Sequence, residues 1–319
     1  MGGPQGGTAV KGVFSLDVIS GILRTMIGLA TPFLYASLGE TFAQTSGVVN
    51  LGVDGIMLLS AFAAFYVTLT TGSLLLGLLA AAVVGILMGL LMSFVSVTLK
   101  AEQGVSGIGL YMFGLGMSSL LFKVMVGTVK TVVGFQPVKI PLLADIPVVG
   151  PILFRNSVLV YGAFLLVPLS WWILEKTTLG TKIKSVGQNP AAADSVGISV
   201  DKIRYLSVCA GAMLAGIAGA SLSISLLDLF QDNLTSGQGF IAVALVYFGG
   251  WSPVGVMGGA LLFSVVNSFQ LWMQVLGVKI SASFAVMLPY LLTIAALTVT
   301  FNRVRQPAAL NKPFERGEG

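Results

Sequence analysis

Two stretches of this chain run for 45 and 46 residues without one Asp, Glu, Lys or Arg, the first between Asp54 and Lys100 and the second between Asp232 and Lys279. Five shorter uncharged runs of 15 to 23 residues lie between Arg24 and Glu40, Glu102 and Lys123, Arg155 and Glu175, Arg204 and Asp228, and Lys279 and Arg303. A helix needs ~20 apolar residues to cross the hydrocarbon core of a bilayer, so the long runs hold two crossings each and the others one, about nine in all. Charged residues make up 9% of the chain and mean hydropathy is +0.95. An average soluble domain is roughly 25% charged, and so few charges cannot solvate a surface of this size. The expected fold class is an all-α integral membrane protein of about nine segments, spanning residues 18–301 between a tail at 1–17 and a basic tail at 302–319.

Glycine placement refines this picture. The first long run is expected to be a hairpin broken near Thr71-Gly72-Ser73, and the second one broken at Gly249-Gly250-Trp251-Ser252-Pro253. Ser46 to Gly55 (SGVVNLGVDG) holds three glycines, an Asn and an Asp. These are poor helix formers, tolerated at membrane depth only where protein or water covers the backbone. A broken or re-entrant start to the second helix is the expected result. Gly85 with Gly89, and Gly211 with Ala215 and Gly219, form small-xxx-small faces suited to tight helix packing. Residues 123–156, with Pro137, Pro141, Pro147 and Pro151, read as an ordered loop outside the membrane.

Several chemistries are removed at once. The chain has no histidine, the commonest general base and transition-metal ligand. Its single cysteine, Cys209, supports neither a disulfide framework nor a thiolate metal site. No Gly-x-x-x-x-Gly-Lys-Ser/Thr phosphate loop is present. The N-terminal MGGPQGGTAVKGVFSLDV does not resemble a signal peptide. Basic residues sit in loops, so the positive charge speaks of membrane topology rather than of nucleic acid.

The most basic compact loop is 175–204, with five Lys/Arg. Placing it and the C-terminal tail in the cytoplasm puts ten Lys/Arg inside and six outside, and nine spans then leave the N-terminus outside. Within that loop Asn189 is a preferred N-cap, Pro190 suits the first helical position, and Ala191, Ala192 and Ala193 follow. Gly197 stands where a left-handed residue would end the helix, and Gly187 lies just ahead of it. The result is a capped helix of about two turns, either a grip for a cytosolic partner or an ordinary connecting turn.

Gly180 to Ala193, with its Gly187-Gln188-Asn189-Pro190 core, resembles the cytoplasmic coupling segment of ABC importer permeases of the ribose and branched-chain amino-acid group. Ser46 to Met57 resembles the first-half signature of that group. Gly237 to Ala244 and Phe248 to Gly255 resemble its second-half signature. With Pro289-Tyr290-Leu291-Leu292-Thr293, they are most similar to permeases that work with basic-membrane-protein lipoproteins, mainly nucleoside importers. The resemblance implies two pseudo-repeated halves and a prokaryotic inner-membrane location. It implies no cofactor on this chain, with ATP and Mg on a partner cytosolic ABC ATPase. It also implies a second, related permease subunit in a heterodimer and an extracytoplasmic substrate-binding lipoprotein. Gly187, Asn189, Pro190, Ala191, Ala192, Ala193 and Gly197 would be the ATPase-coupling residues.

For the solute path the candidates are polar residues stranded in apolar runs: Asn50, Asp54, Gln238, Asn267 and Gln270. Such groups are costly in lipid unless paired or lining a wet path. Asn50 and Asp54 could instead cap broken helix ends, and Asn267 and Gln270 could bond neighbouring helices. Arg24 could snorkel or pair with Glu40. A secondary transporter or channel is the alternative function, although carriers coupled to ions usually place several ionisable groups at the midplane. An intramembrane enzyme fits less well, because no pair of aspartates matches in depth.

Overall fold

The computed structural model describes residues 16–139, 149–275 and 306–315, with isolated positions 141, 146, 287 and 291. Among these residues seven helices are long and apolar enough to cross a membrane. They are α1 (Leu16–Thr45), α2 (Val53–Thr71), α3 (Leu74–Ser93), α4 (Gln103–Met125), α6 (Val158–Lys176), α9 (Val200–Ser221) and α11 (Pro253–Val275). Short elements connect them: β1 (Val138–Lys139), α5 (Val149–Leu153), β2 (Arg155–Asn156), α7 (Thr178–Gln188), α8 (Pro190–Ser195) and α10 (Gln238–Phe248). β1 and β2 pair antiparallel. Single π-helical turns extend α3 over Phe94–Thr98 and α9 over Leu222–Leu226.

The breaks at Gly72 and Gly249–Pro253 stand where glycine and proline predict them; Gly72 and Gly250 both have positive φ. Two expectations change. The first span does not end with its uncharged run ahead of Glu40. α1 runs for 30 residues, through Glu40, because that carboxylate is buried and hydrogen-bonded inside the bundle rather than marking a membrane surface. The segment expected at 233–248 is not a full crossing. α10 has 11 residues, about 16 Å at 1.5 Å per residue and roughly half of a bilayer core. The lost length lies in 227–237, where Asp228, Asn233, Ser236 and Gly237 all take positive φ and no helix can continue. The final span, expected in the uncharged run between Lys279 and Arg303, lies outside the described residues, apart from positions 287 and 291. So do the Pro289–Thr293 stretch, apart from Leu291, and residues 1–15 of the N-terminal tail.

At the centre stands α9, whose face of small residues is enclosed by α1, α2 and α3. A Cβ on Gly211 would sit 2.6 Å from the Gly39 carbonyl oxygen of α1, and one on Gly85 of α3 would sit 2.5 Å from the Ala212 carbonyl oxygen. One on Gly89 would come within 2.7 Å of Ala212 Cβ, and one on Gly219 within 3.0 Å of Met57 Cα on α2. The Gly85/Gly89 face of α3 therefore packs on the Cys209–Ala212–Gly216 side of α9, while Gly211 and Gly219 turn the other small face of α9 toward α1 and α2. In lipid, where apolar side chains gain nothing by leaving water, such close backbone contact is the main source of helix association.

Replacing Gly211 by valine should lower the melting temperature of the solubilised chain, equivalent to about 1–3 kcal/mol of overpacking. Gly116→Val, at an exposed position with open space around it, is the control and should leave it near the parent value. Equal melting temperatures for the two variants would contradict this packing.

Candidate functional site

Local capping chemistry builds the loop between α6 and α9. Thr177 caps α7, its hydroxyl accepting from the Gly180 N–H at 3.2 Å. Asn189 ends α7 and starts α8: its N–H donates to the Ser185 carbonyl at 2.9 Å, and its Oδ1 accepts from the Ala192 N–H at 3.0 Å. Pro190 occupies the first turn of α8. Gly197 takes φ +83° and closes the helix, its N–H donating to the Asp194 carbonyl at 2.9 Å. Ile183, Val186, Gly187 and Ala193 are buried, whereas Gln188, Asn189, Ala191, Ala192 and Gly197 are exposed. Val196 is 74% exposed, an apolar side chain presented beyond the last turn of α8. Gly187 is wedged so closely against the Thr45 carbonyl that no side chain fits there. The loop is thus locked to the end of α1 on one side and open on the other.

Beside that lock lies the break between α1 and α2. Glu40 Oε1 accepts from Gln44 Nε2 at 3.2 Å and from the Asn50 N–H at 2.9 Å. Asn50 Oδ1 in turn accepts from the Gly52 N–H at 2.9 Å, turning the chain into α2. Gln103 Oε1 accepts from the Val49 N–H at 2.8 Å, and Gln44 Oε1 accepts from Trp251 Nε1 at 2.9 Å. Asp54, in the first turn of α2, reaches across to the other broken segment. Its Oδ2 accepts from Thr235 Oγ1 at 2.9 Å, and its Oδ1 accepts from the Gly239 N–H at the start of α10 at 2.8 Å. Tyr111 and Phe240 close the same contact edge to face, with ring centroids 5.0 Å apart.

A cavity of about 550 Å³ occupies the far end of the bundle, within the ~300–1,000 Å³ range of small-molecule sites. Arg24, Thr25, Gly28, Pro32 and Trp272 line it from α1 and α11; Gln136, Arg155, Asn156 and Ser157 come from the loop and the start of α6. Ser225 and Asp228 complete it beyond α9. Trp272 Nε1 donates to Thr25 Oγ1 at 3.2 Å, and Ser225 Oγ donates to Ser157 Oγ at 2.8 Å. Pro32 removes the N–H that would bond the Gly28 carbonyl one turn earlier, and both residues face the cavity. Burial raises the Asp228 carboxyl above its ordinary value, against the lowering effect of the Gly134 N–H.

The five polar residues proposed for a solute path are not brought together there. Asn50 and Asp54 are buried in the hydrogen bonds above. Gln238 lies in the first turn of α10, half-buried, with its Oε1 enclosed and without a hydrogen-bond partner among the described residues. Asn267 and Gln270 are half-buried on α11 and do not line the cavity. Arg24 does line it and does not pair with Glu40, which is 16 residues and about 24 Å away along the same helix. Gln136, Asn156 and Ser225 were invisible as a group, since loop and π-turn positions carry no periodic signal. The signal that existed was Arg24 itself, a charge two turns into an apolar segment.

Residues 22–297 match the family model described as the branched-chain amino acid transport system / permease component. The guanosine ABC transporter permease protein NupQ of Bacillus subtilis (strain 168) is 36% identical, over 95% of this chain and 99% of that relative. The putative glucose ABC transporter permease protein TsgC13 of Haloferax volcanii is 35% identical, over 94% of this chain and 99% of that relative. The nucleoside ABC transporter permease protein NupC of Lactococcus lactis subsp. cremoris (strain MG1363) is 33% identical, over 90% of this chain and 94% of that relative. No solved structure matches.

Asp54→Ala leaves the Gly239 N–H and the Thr235 hydroxyl buried without an acceptor, which should destabilise the chain by about 1–3 kcal/mol. Thr235→Val removes one donor and leaves the Gly239 bond intact, so its melting temperature should fall less. A thermal-unfolding series that ranks the two the other way would show that the α2–α10 bridge is not held as described.

Proposed function

The chain belongs to the branched-chain amino-acid transport permease family, and from that premise we propose that it forms the translocation pathway of an ABC importer for nucleosides. It is a multi-pass membrane subunit with no ATPase site of its own, as its permease relatives are. The observation that carries the functional assignment is the capped α7–α8 unit, exposed on one side and keyed into the end of α1 through Gly187. An external motor can act on a membrane bundle only through such a rigid contact, since a flexible loop would absorb the displacement. We assign Gly187, Asn189, Pro190, Ala191, Ala192, Ala193 and Gly197 to that coupling unit.

In this arrangement the α7–α8 end faces the cytoplasm and a cytosolic ABC ATPase docks on it. ATP and its Mg stay on that subunit. The cavity then opens toward the other membrane face, where a substrate-binding lipoprotein releases solute. α1 and α9 both run from the coupling end to the cavity: Gly47 and Arg204 mark one end, Arg24 and Ser225 the other. A nucleoside is uncharged, polar and aromatic in part. Asn156, Gln136 and Ser225 offer hydrogen bonds to it, and Trp272 a ring face. Asn50 and Asp54 serve the break rather than the solute. Nine segments in two halves, the α2 and α10 breaks being counterparts, complete the architecture. The functional pathway requires a second, related permease in a heterodimer, in the plasma membrane of a prokaryote.

Guanosine is favoured because NupQ is a guanosine permease and NupC a nucleoside permease, and glucose is the competing solute because of TsgC13. Reconstituted with its ATPase, partner permease and lipoprotein, the complex should take up radiolabelled guanosine only with ATP. Asn156→Ala should reduce uptake at sub-saturating solute about two- to ten-fold, the loss of one hydrogen bond. Deleting Asn189–Val196 should abolish co-purification of the ATPase. ATP-driven glucose uptake with no nucleoside uptake would overturn the substrate assignment, and retained transport after the deletion would favour a self-sufficient carrier or channel.

A further inference from the structure

Residues 306–315 lie outside the α7–α8 loop and outside every described span, yet they join four elements remote from one another in sequence. The Ala309 N–H donates to the Gly187 carbonyl at 2.9 Å, and the Asn311 N–H donates to the Gly47 carbonyl at 3.1 Å. Arg204 Nη1 at the foot of α9 donates to the Lys312 carbonyl at 3.1 Å. Phe314 packs on the cluster of Val186, Ala193 and Val200. Glu315 pairs with Lys100, beyond the end of α3, at 3.0 Å. Ala309 and Leu310 are buried, so the segment is seated rather than draped.

Two details give this seating a direction. Gly187 belongs to the last turn of α7, and Gly47, at φ +96°, is the turn that ends α1. The segment bonds one with residue 309 and the other with residue 311, clipping the coupling unit to the break. Arg204 is 1% exposed, and its Nε and Nη2 have no hydrogen-bond partner among the described residues. A buried guanidinium is costly unless main-chain or side-chain oxygens face it, and the Lys312 carbonyl is the acceptor that this segment supplies.

We infer that residues 306–315, pinned by Arg204, are a positioning strap for transport. The strap binds α7–α8 to the break between α1 and α2, so that displacement of the coupling unit passes into α1 and α2. Without it, α7–α8 keeps its Gly187 contact with the end of α1 but loses the clip to the turn at Gly47, and part of each displacement is lost before it reaches α2. The inference rests on the importer assignment above and adds to it a segment and an arginine that neither touch ATP nor line the solute cavity.

The test uses the complete reconstituted complex and reads solute taken up per ATP hydrolysed. The variants are a chain ending at Arg305, the full-length Ala309→Pro, which removes the N–H donated to Gly187, and Arg204→Gln. ATPase co-purification and hydrolysis should stay near parent values in Ala309→Pro, while uptake per ATP should fall by about two- to thirty-fold. The truncated chain should fall at least as far; if it does not accumulate, the two point variants decide. Parent uptake per ATP in both point variants overturns the strap. Loss of the ATPase from the truncated complex, with a parent ratio in Ala309→Pro, also overturns it and makes the segment a docking surface. A parent complex that shows no ATP-driven uptake at all would instead defeat the importer assignment.

Discussion

Hydrocarbon supplies no hydrogen bonds, so every interruption of a helix inside the bundle must be closed by protein. The rest of this structure follows from how two such interruptions are closed. Glu40 takes the Asn50 N–H at the first break, and Asp54 takes the Gly239 N–H and the Thr235 hydroxyl at the second. Each carboxylate is enclosed and committed to donors of its own chain. They are the acidic side chains that lie deepest among the described helices, and holding the breaks together leaves neither of them exposed to carry a coupling ion.

Between the α7–α8 end of the bundle and the cavity runs α9. From Arg204 to Ser221 it climbs 17 residue steps, about 26 Å at 1.5 Å per residue. Its small residues bring it into backbone contact with α1, α2 and α3. Contact through Gly39, Gly85, Gly211 and Gly219 leaves no long side chains between the helices to rearrange when one of them shifts. Tightly packed elements transmit strain because they have few intermediate arrangements to relax into. The π turn at Leu222–Leu226 then ends the helix at the cavity wall, where Ser225 faces Ser157.

Much of this was legible from charge spacing and capping rules, because both are local. The uncharged runs located the hairpins α2–α3 and α10–α11, and Asn189, Pro190 and Gly197 stand where helix-end chemistry put them. What escaped depends on contacts between distant residues. An uncharged run does not tell a full crossing from the half-length α10, since the left-handed residues at 228–237 that shorten it are closed by Asp54, 185 residues from Gly239. Glu40 looked like a boundary because its partners lie in a turn that sequence cannot fold. α7 was hidden by Gly180 and Gly187, poor helix formers held helical by the burial of Ile183 and Val186. The cavity joins α1 and α11 to the loop ahead of α6 and a π turn, and the strap looked like nothing but a basic tail.

The pairing of Asp54 with the start of α10 also bears on how a cell makes this protein. α10 is too short to be recognised as a membrane segment in its own right, and the acceptor for its Gly239 N–H lies in α2, made long before it. The polar start of this half-helix therefore finds its acceptor only when α2 is already in place, so that a defect in α2 bears on a segment synthesised far downstream.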